Sequence, residues 1–105
     1  MYLSFEGDLD DPRISVERRD DCRSLYVRSR SMTYEVVAQA LEAAGAGKSY
    51  VDPDLWLEIS VLRSLANTGS TSWAEDFDAM IAFAATRGWI DDSGGFVAAH
   101  LVVDE

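Results

Sequence analysis

The feature that most constrains the fold of this chain is the stretch from residue 72 to residue 103. Ser72 and Glu75 form a capping-box pattern, which predicts a helix that begins here, and apolar residues then recur along one helical face. Gly88 is the expected left-handed end of that helix. The remainder, 89–103, places a polar, glycine-containing turn between two apolar segments, which predicts a short β-hairpin.

The first 31 residues alternate apolar and polar side chains, which is typical of short strands. The segment 7–12 has the composition of a turn. Segments 13–18 and 23–29 are separated by a charged break, and we expect them to pair as an antiparallel hairpin.

Six arginines and seven acidic residues fall in this N-terminal region. The outer face of the expected hairpin carries several of the arginines, each with an acid nearby in sequence. One interpretation is a solvated face whose charges compensate one another. The alternative is a cationic stripe that binds anions, for which Arg28 and Arg30 are the candidate residues.

Two further helices are expected between these regions. The first runs to about Ala44, with Thr33 or Ser31 as its cap. The second is expected over 53–66, with Asp52 as its cap and a proline at its first position. This second segment is apolar on nearly every side, which predicts a central place in the core or a face covered by a partner.

The predicted order is therefore a β-hairpin, three helices and a β-hairpin, an α+β fold in a single domain of residues 1–105. Residues 1–31 form a β-rich extension in this interpretation. The segment 33–103 resembles a winged-helix domain, because three short helices are followed by Arg87-Gly88-Trp89-Ile90 and a two-stranded wing. That resemblance implies a third helix that reads DNA.

The charge pattern argues against DNA and for a basic partner. The chain carries a net charge of −10, and residues 32–105 hold three basic residues against twelve acids. Such a surface repels nucleic acid and anionic membranes and attracts a basic protein; solubility alone is the other explanation. No apolar run approaches the ~20 residues that cross a bilayer, and no targeting signal stands at the N-terminus, so we expect a cytoplasmic protein.

The sequence contains few residues that could carry chemistry. Cys22 is the single cysteine, so no internal disulfide and no cysteine cluster for a metal is expected. His100 is the single histidine and lies in a strand with two apolar faces, which predicts a hydrogen-bonded core or interface residue. We therefore expect no catalytic residues, no metal and no cofactor.

Three functional hypotheses follow. The first is a small, acidic, non-catalytic module that binds a basic protein or forms a homodimer. Its three tryptophans are expected in the core together with Phe77 and Phe83, and an exposed one would mark an interface. The second hypothesis is a winged-helix transcription regulator. The third is a small ligand-binding protein or enzyme with a pocket formed by His100, Tyr34 and an arginine. The candidate interface residues are Glu75, Asp76, Asp78, Trp56, Trp89, Phe96 and His100.

Overall fold

A computed structural model describes residues 1–7, 10–30 and 32–104. These residues form three helices and six strands, which confirms the α+β class and the number of helices. The elements in order are β1 (Tyr2–Gly7), β2 (Pro12–Glu17), β3 (Tyr26–Arg30), α1 (Tyr34–Ala43), β4 (Gly47–Ser49), β5 (Asp54–Glu58), α2 (Ile59–Ala66), α3 (Thr71–Thr86) and β6 (Phe96–Asp104). No helix among them is long and apolar enough to span a bilayer.

The six strands form one mixed sheet in the order β2-β1-β3-β6-β5-β4. Strand β1 pairs antiparallel with β2 and parallel with β3. Strand β6 pairs parallel with β3 on one side and antiparallel with β5 on the other. The N-terminal strands and the C-terminal strand therefore belong to the same sheet.

The core lies between one face of this sheet and the helices. Alternate strand residues are buried on that face, and each helix contributes buried side chains to the same cluster. Its largest buried members are Phe5, Phe77, Met1, Leu3, Leu41, Leu55, Leu57, Leu62, Val27 and Val37. The opposite face, which we call the open face, carries the alternating residues Tyr2, Tyr26, Arg28, Trp56 and His100.

The expected hairpin between 13–18 and 23–29 is wrong. Strand β2 pairs with β1 instead, with Val16 opposite Leu3, and β3 lies on the other side of β1. The alternating pattern correctly predicts strands here, and Val16 of β2 and Val27 of β3 are buried. It does not specify which strand is the neighbour, because pairing depends on residues distant in sequence. The turn predicted at 7–12 connects β1 and β2, and its Asp8 and Leu9 lie outside the described residues.

The helix expected over 53–66 is correct only in its second half. Residues 54–58 form strand β5, and α2 begins at Ile59. The peptide bond between Asp52 and Pro53 is cis, and the two residues precede a strand rather than capping a helix. Short apolar runs do not distinguish a buried strand from a buried helix. Pairing with β6 on one side and β4 on the other selects the strand here.

The ends of the other helices follow local signals. Thr33 caps α1, accepting a hydrogen bond from the Val36 amide at 3.3 Å, whereas Ser31 lies outside the described residues. The cap of α3 is Ser70 rather than Ser72, because its hydroxyl accepts from the Trp73 amide at 3.4 Å. Gly88 has a φ of 77°, which confirms the predicted end of this helix.

The two-stranded wing of the winged-helix resemblance is not confirmed. After α3, Ile90 makes an isolated bridge with Val97 instead of extending into a strand. Asp91 organises the turn by accepting hydrogen bonds from the Gly95 and Phe96 amides, both at 3.2 Å. Strand β6 then runs through the centre of the six-stranded sheet rather than along a peripheral hairpin.

Substitution of Gly88 by valine should destabilise the protein by about 1–2 kcal/mol, because a β-branched residue is strained at positive φ. Space is not the cause, since a Cβ at this position would have no neighbour within 4 Å. Gly88→Asn is the control and should cost less, because asparagine tolerates this conformation. The free energy of unfolding in urea measures both; equal values for the two variants would contradict the conformational explanation.

A second prediction concerns Tyr34, whose hydroxyl donates to the Asp54 carbonyl at 2.5 Å and accepts from the Tyr50 amide at 2.9 Å. Tyr34→Phe removes both hydrogen bonds and should lower the free energy of unfolding by about 1 kcal/mol. Amide hydrogen exchange at Tyr50 should accelerate in the variant. Unchanged exchange would show that the hydroxyl does not hold the β4–β5 connection.

Candidate functional site

The most developed surface feature is a groove along α3, which we call the α3 groove. Its second wall is the connection from Asp20 to Leu25, between β2 and β3. The indole N–H of Trp73 donates to the Arg19 carbonyl at 2.7 Å, which ties this connection to the first turn of α3. Two adjoining depressions make up the groove, and both are lined by Arg23, Met80 and Phe83.

One end of the α3 groove is acidic. Asp20, Asp21 and Asp76 line it together with Cys22 and Arg23, around a depression of about 820 Å³. The side chains of Arg23 and Asp21 form an ion pair with an Nε–Oδ1 distance of 3.0 Å. Hydrogen bonds donated by Arg23 lower the pKa of Asp21 to about 2, so this carboxylate stays charged at neutral pH.

Cys22 lies at this acidic end as a free thiol. Burial raises its pKa, and the neighbouring Asp76 carboxylate raises it further. A raised pKa keeps the thiol protonated and weakly nucleophilic at neutral pH.

The other end of the α3 groove is apolar and aromatic. Phe83 and Trp89 are 57% and 43% exposed, and their rings meet edge to face with centroids 6.0 Å apart. The Arg87 guanidinium lies 5.8 Å from the Phe83 ring centroid and 5.7 Å from that of Trp89. Leu25 and Ala98 help to line this depression of about 470 Å³. Two adjacent exposed aromatic rings are a common mark of a binding surface.

Phe83 is predicted to lie in the core, but its side chain is exposed on the surface. Phe77 is fully buried, and Phe83 follows it by six residues, which is about 120° around a helix. Phe83 therefore lies away from the buried stripe of α3. Its position relative to Phe77 is the signal in the sequence that could have identified it. Trp73 is buried as predicted, whereas the prediction of Trp89 in the core is wrong, since its side chain is exposed.

The predicted interface residues fall on separate surfaces. Asp76, Trp89 and His100 line the α3 groove. Glu75 and Asp78 are exposed on α3, where Asp78 forms an ion pair with Arg63. Trp56 and Phe96 are half-buried elsewhere: Trp56 stacks on Tyr50 with a centroid distance of 4.2 Å, and the Lys48 ammonium lies 4.2 Å from the centroid of the Phe96 ring.

The open face carries its own arrangement of rings and cations. Tyr2 stacks on Tyr26 with centroids 5.1 Å apart, and Tyr26 stacks on His100 at 6.0 Å. The two candidate anion-binding residues, Arg28 and Arg30, line a depression beside Tyr2. His100 is exposed on this face. The sequence predicts that His100 lies in the core or in an interface, and its placement in the core is wrong.

The predicted pocket of His100, Tyr34 and an arginine is assembled only in part. His100 and Arg23 both line the apolar end of the α3 groove, whereas Tyr34 does not. Both hydrogen bonds of the Tyr34 hydroxyl go to backbone groups. Within residues 1–7, 10–30 and 32–104, no three histidine, cysteine or acidic side chains are grouped to hold a metal ion.

Comparison with protein-family models, with curated protein sequences and with solved structures found no match to this chain. The shape and charge of the two surfaces are therefore the basis for a functional proposal.

The Arg23–Asp21 contact gives a testable pH dependence. A carboxylate whose pKa falls from 3.8 to about 2 on folding stabilises the folded state above pH 3.8, and this contribution is lost as the pH falls through about 2. In Arg23→Gln the pKa of Asp21 should rise from about 2 toward 3.8, because the side-chain hydrogen bonds and the charge of Arg23 are lost while the hydrogen bond from the residue-23 amide remains; the NMR side-chain carbonyl shift of Asp21 follows the titration. A value that stays near 2 would assign the shift to the backbone amide of residue 23 instead.

Proposed function

We propose that this protein is a small, acidic, non-catalytic interaction module whose α3 groove binds a basic segment of another protein. The segment carries an aromatic or aliphatic side chain that docks on Phe83 and Trp89. The observation that carries the proposal is the exposed aromatic pair at one end of a groove whose other end is lined by Asp20, Asp21 and Asp76.

The apolar end supplies the anchor. An apolar side chain on the partner would cover Phe83 and Trp89 and would lie against Leu25 and Met80, which line the same depression. Interfaces obtain much of their binding energy from a few buried aromatic contacts of this type. The ring pair is held in place by its own edge-to-face contact and by Arg87, so little ordering is needed on binding.

The negative charge of the α3 groove favours a partner with basic side chains. Four aspartates line its two depressions (Asp20, Asp21, Asp54 and Asp76), and Arg23 is the cation among the described lining residues. Lysine or arginine side chains that flank the apolar anchor would therefore be attracted to the acidic end. A second copy of this chain, with its net charge of −10, would be repelled, which disfavours the homodimer as occupant.

The other hypotheses receive less support. A helix that reads the major groove presents cations and amides to bases and phosphates, whereas α3 exposes Glu75, Asp76 and Asp78. A winged-helix-like regulator therefore stays a prediction without a supporting observation. The ligand-binding alternative has His100 and Arg23 in one groove, together with Ser24 and Asp54, but no side-chain hydrogen bond among the described residues joins His100 to either of the last two.

The experiment is selection of a random peptide library on the purified protein, followed by affinity measurement for the selected peptides. We expect the peptides to combine lysine or arginine with an aromatic or leucine anchor. Phe83→Ser and Asp76→Asn should each weaken binding by roughly tenfold or more. Leu65→Ser and Glu42→Gln are matched controls, since both residues are exposed and neither lines the groove; they should change affinity by less than about twofold.

Salt provides an independent check. Binding of the wild-type protein should weaken as ionic strength rises, and the dependence should be shallower in Asp76→Asn. Selected peptides without basic residues, or equal losses in the control variants, would overturn the proposal. Sedimentation that shows a dimer in the wild type and a monomer in Phe83→Ser would assign the groove to a second copy instead.

A further inference from the structure

The open face contains a further depression, which is separate from the α3 groove. It is formed where β1, β2 and β3 lie side by side and has a volume of about 590 Å³. Three arginines line it, one from β2 and two from β3: Arg13, Arg28 and Arg30. On β1, Glu6 lies opposite Arg13 and Ser4 lies opposite Arg28, and Tyr2 lines the same depression. We call it the arginine depression.

The local charge of the arginine depression differs in sign from that of the whole chain. Its described lining residues include three arginines against Glu6 and Asp104, in a protein with a net charge of −10. Arg28 is paired with Asp104. Among the described residues, neither Arg13 nor Arg30 lies within 4.0 Å of a carboxylate, although Glu6 is opposite Arg13 in the strand register.

Two guanidinium groups that form no ion pair among the described residues therefore line the same depression as Ser4. Each arginine offers a planar fork of N–H donors, which matches the oxygens of a phosphate or a carboxylate. The lining arginines outnumber the lining acids by one, and an anion that binds in the depression would balance this excess positive charge. The chemistry of the site is that of an oxyanion receptor.

A row of stacked aromatic rings beside the arginines adds a second requirement for the ligand. Tyr2 lines the arginine depression and is the first ring of the row that continues through Tyr26 to His100. The Arg28 guanidinium lies 5.7 Å from the Tyr2 ring centroid, so charge and ring surface meet at this point. A flat ring on the ligand can pack beside Tyr2 while its anionic group reaches the arginines.

We propose that the arginine depression binds a small organic anion in which a phosphate or carboxylate group is attached to a flat ring. Arg13, Arg30 and the Ser4 hydroxyl hold the anionic group, and Tyr2 receives the ring. A small ligand fits better than a nucleic-acid strand, because a protein with a net charge of −10 repels an extended polyanion. This site is separate from the α3 groove and does not depend on the function proposed for it.

The test is a titration of the ¹⁵N-labelled protein with phenyl phosphate, benzoate and inorganic phosphate, followed by NMR. Phenyl phosphate should give saturable shifts centred on residues 4, 13, 28 and 30, with an affinity roughly tenfold above that of inorganic phosphate. Comparison with benzoate distinguishes a phosphate site from a carboxylate site. Phe83→Ser should bind phenyl phosphate as the wild type does, which separates this proposal from the previous one.

Variants define the site. Arg13→Gln and Arg30→Gln should each weaken phenyl phosphate binding by roughly tenfold, and Tyr2→Leu should reduce the preference for phenyl phosphate over inorganic phosphate. Lys48→Gln is the matched control, since it removes one positive charge from β4 at the opposite edge of the sheet. Thermal unfolding checks that each variant is folded; the exposed Arg13 and Arg30 make no described ion pair, so their loss should leave the melting temperature nearly unchanged.

Shifts that do not saturate, or an equal loss of affinity in Lys48→Gln, would overturn the proposal in favour of diffuse charge attraction. Equal affinities for phenyl phosphate and inorganic phosphate would overturn the role of the ring. Tighter binding of a short oligothymidylate, with a steep salt dependence, would replace the small anion by single-stranded nucleic acid.

Discussion

The pairing of β6 with β3 on one side and β5 on the other is the constraint on which the rest of the structure depends. Its first half, Phe96 to His100, pairs with β5, and its second half, Leu101 to Asp104, pairs with β3. Strand β3 in turn joins β1 and β2. Without β6, the described chain would contain two small sheets that share no backbone hydrogen bonds.

The same pairing creates the α3 groove. On the β3 side, the first half of β6 has only an isolated bridge to Ile90. Residues Leu25, Trp89 and Val97–His100 line the space next to this incomplete edge. A continuous strand there would have filled the apolar end of the groove and covered part of Trp89. The pairing of β6 that joins the strands into one sheet thus leaves open the α3 groove, for which we propose a binding role.

The distribution of charge gives the two surfaces opposite preferences. Aspartates from the β2–β3 connection and from α3 collect at one end of the α3 groove, whereas arginines of β2 and β3 collect on the open face. Alternation along β3 accounts for the separation, because Arg28 and Arg30 point away from the buried Val27 and Ser29. A protein with an overall charge of −10 can therefore offer a site for an anion as well as one for a basic segment.

The sequence alone determines the features that depend on a few neighbouring residues: α1, most of α3, the glycine that ends α3, the polar turn after it, and which side chains of β1 and β3 face inward. Hydrogen bonds within a turn and the preferences of single residues are sufficient for these. Only the tertiary structure decides that 54–58 is a strand, that β1 lies between β2 and β3, and that His100 is exposed. Those outcomes depend on which distant segment supplies the hydrogen-bonding partner or the covering side chain, and local sequence carries no information about that partner.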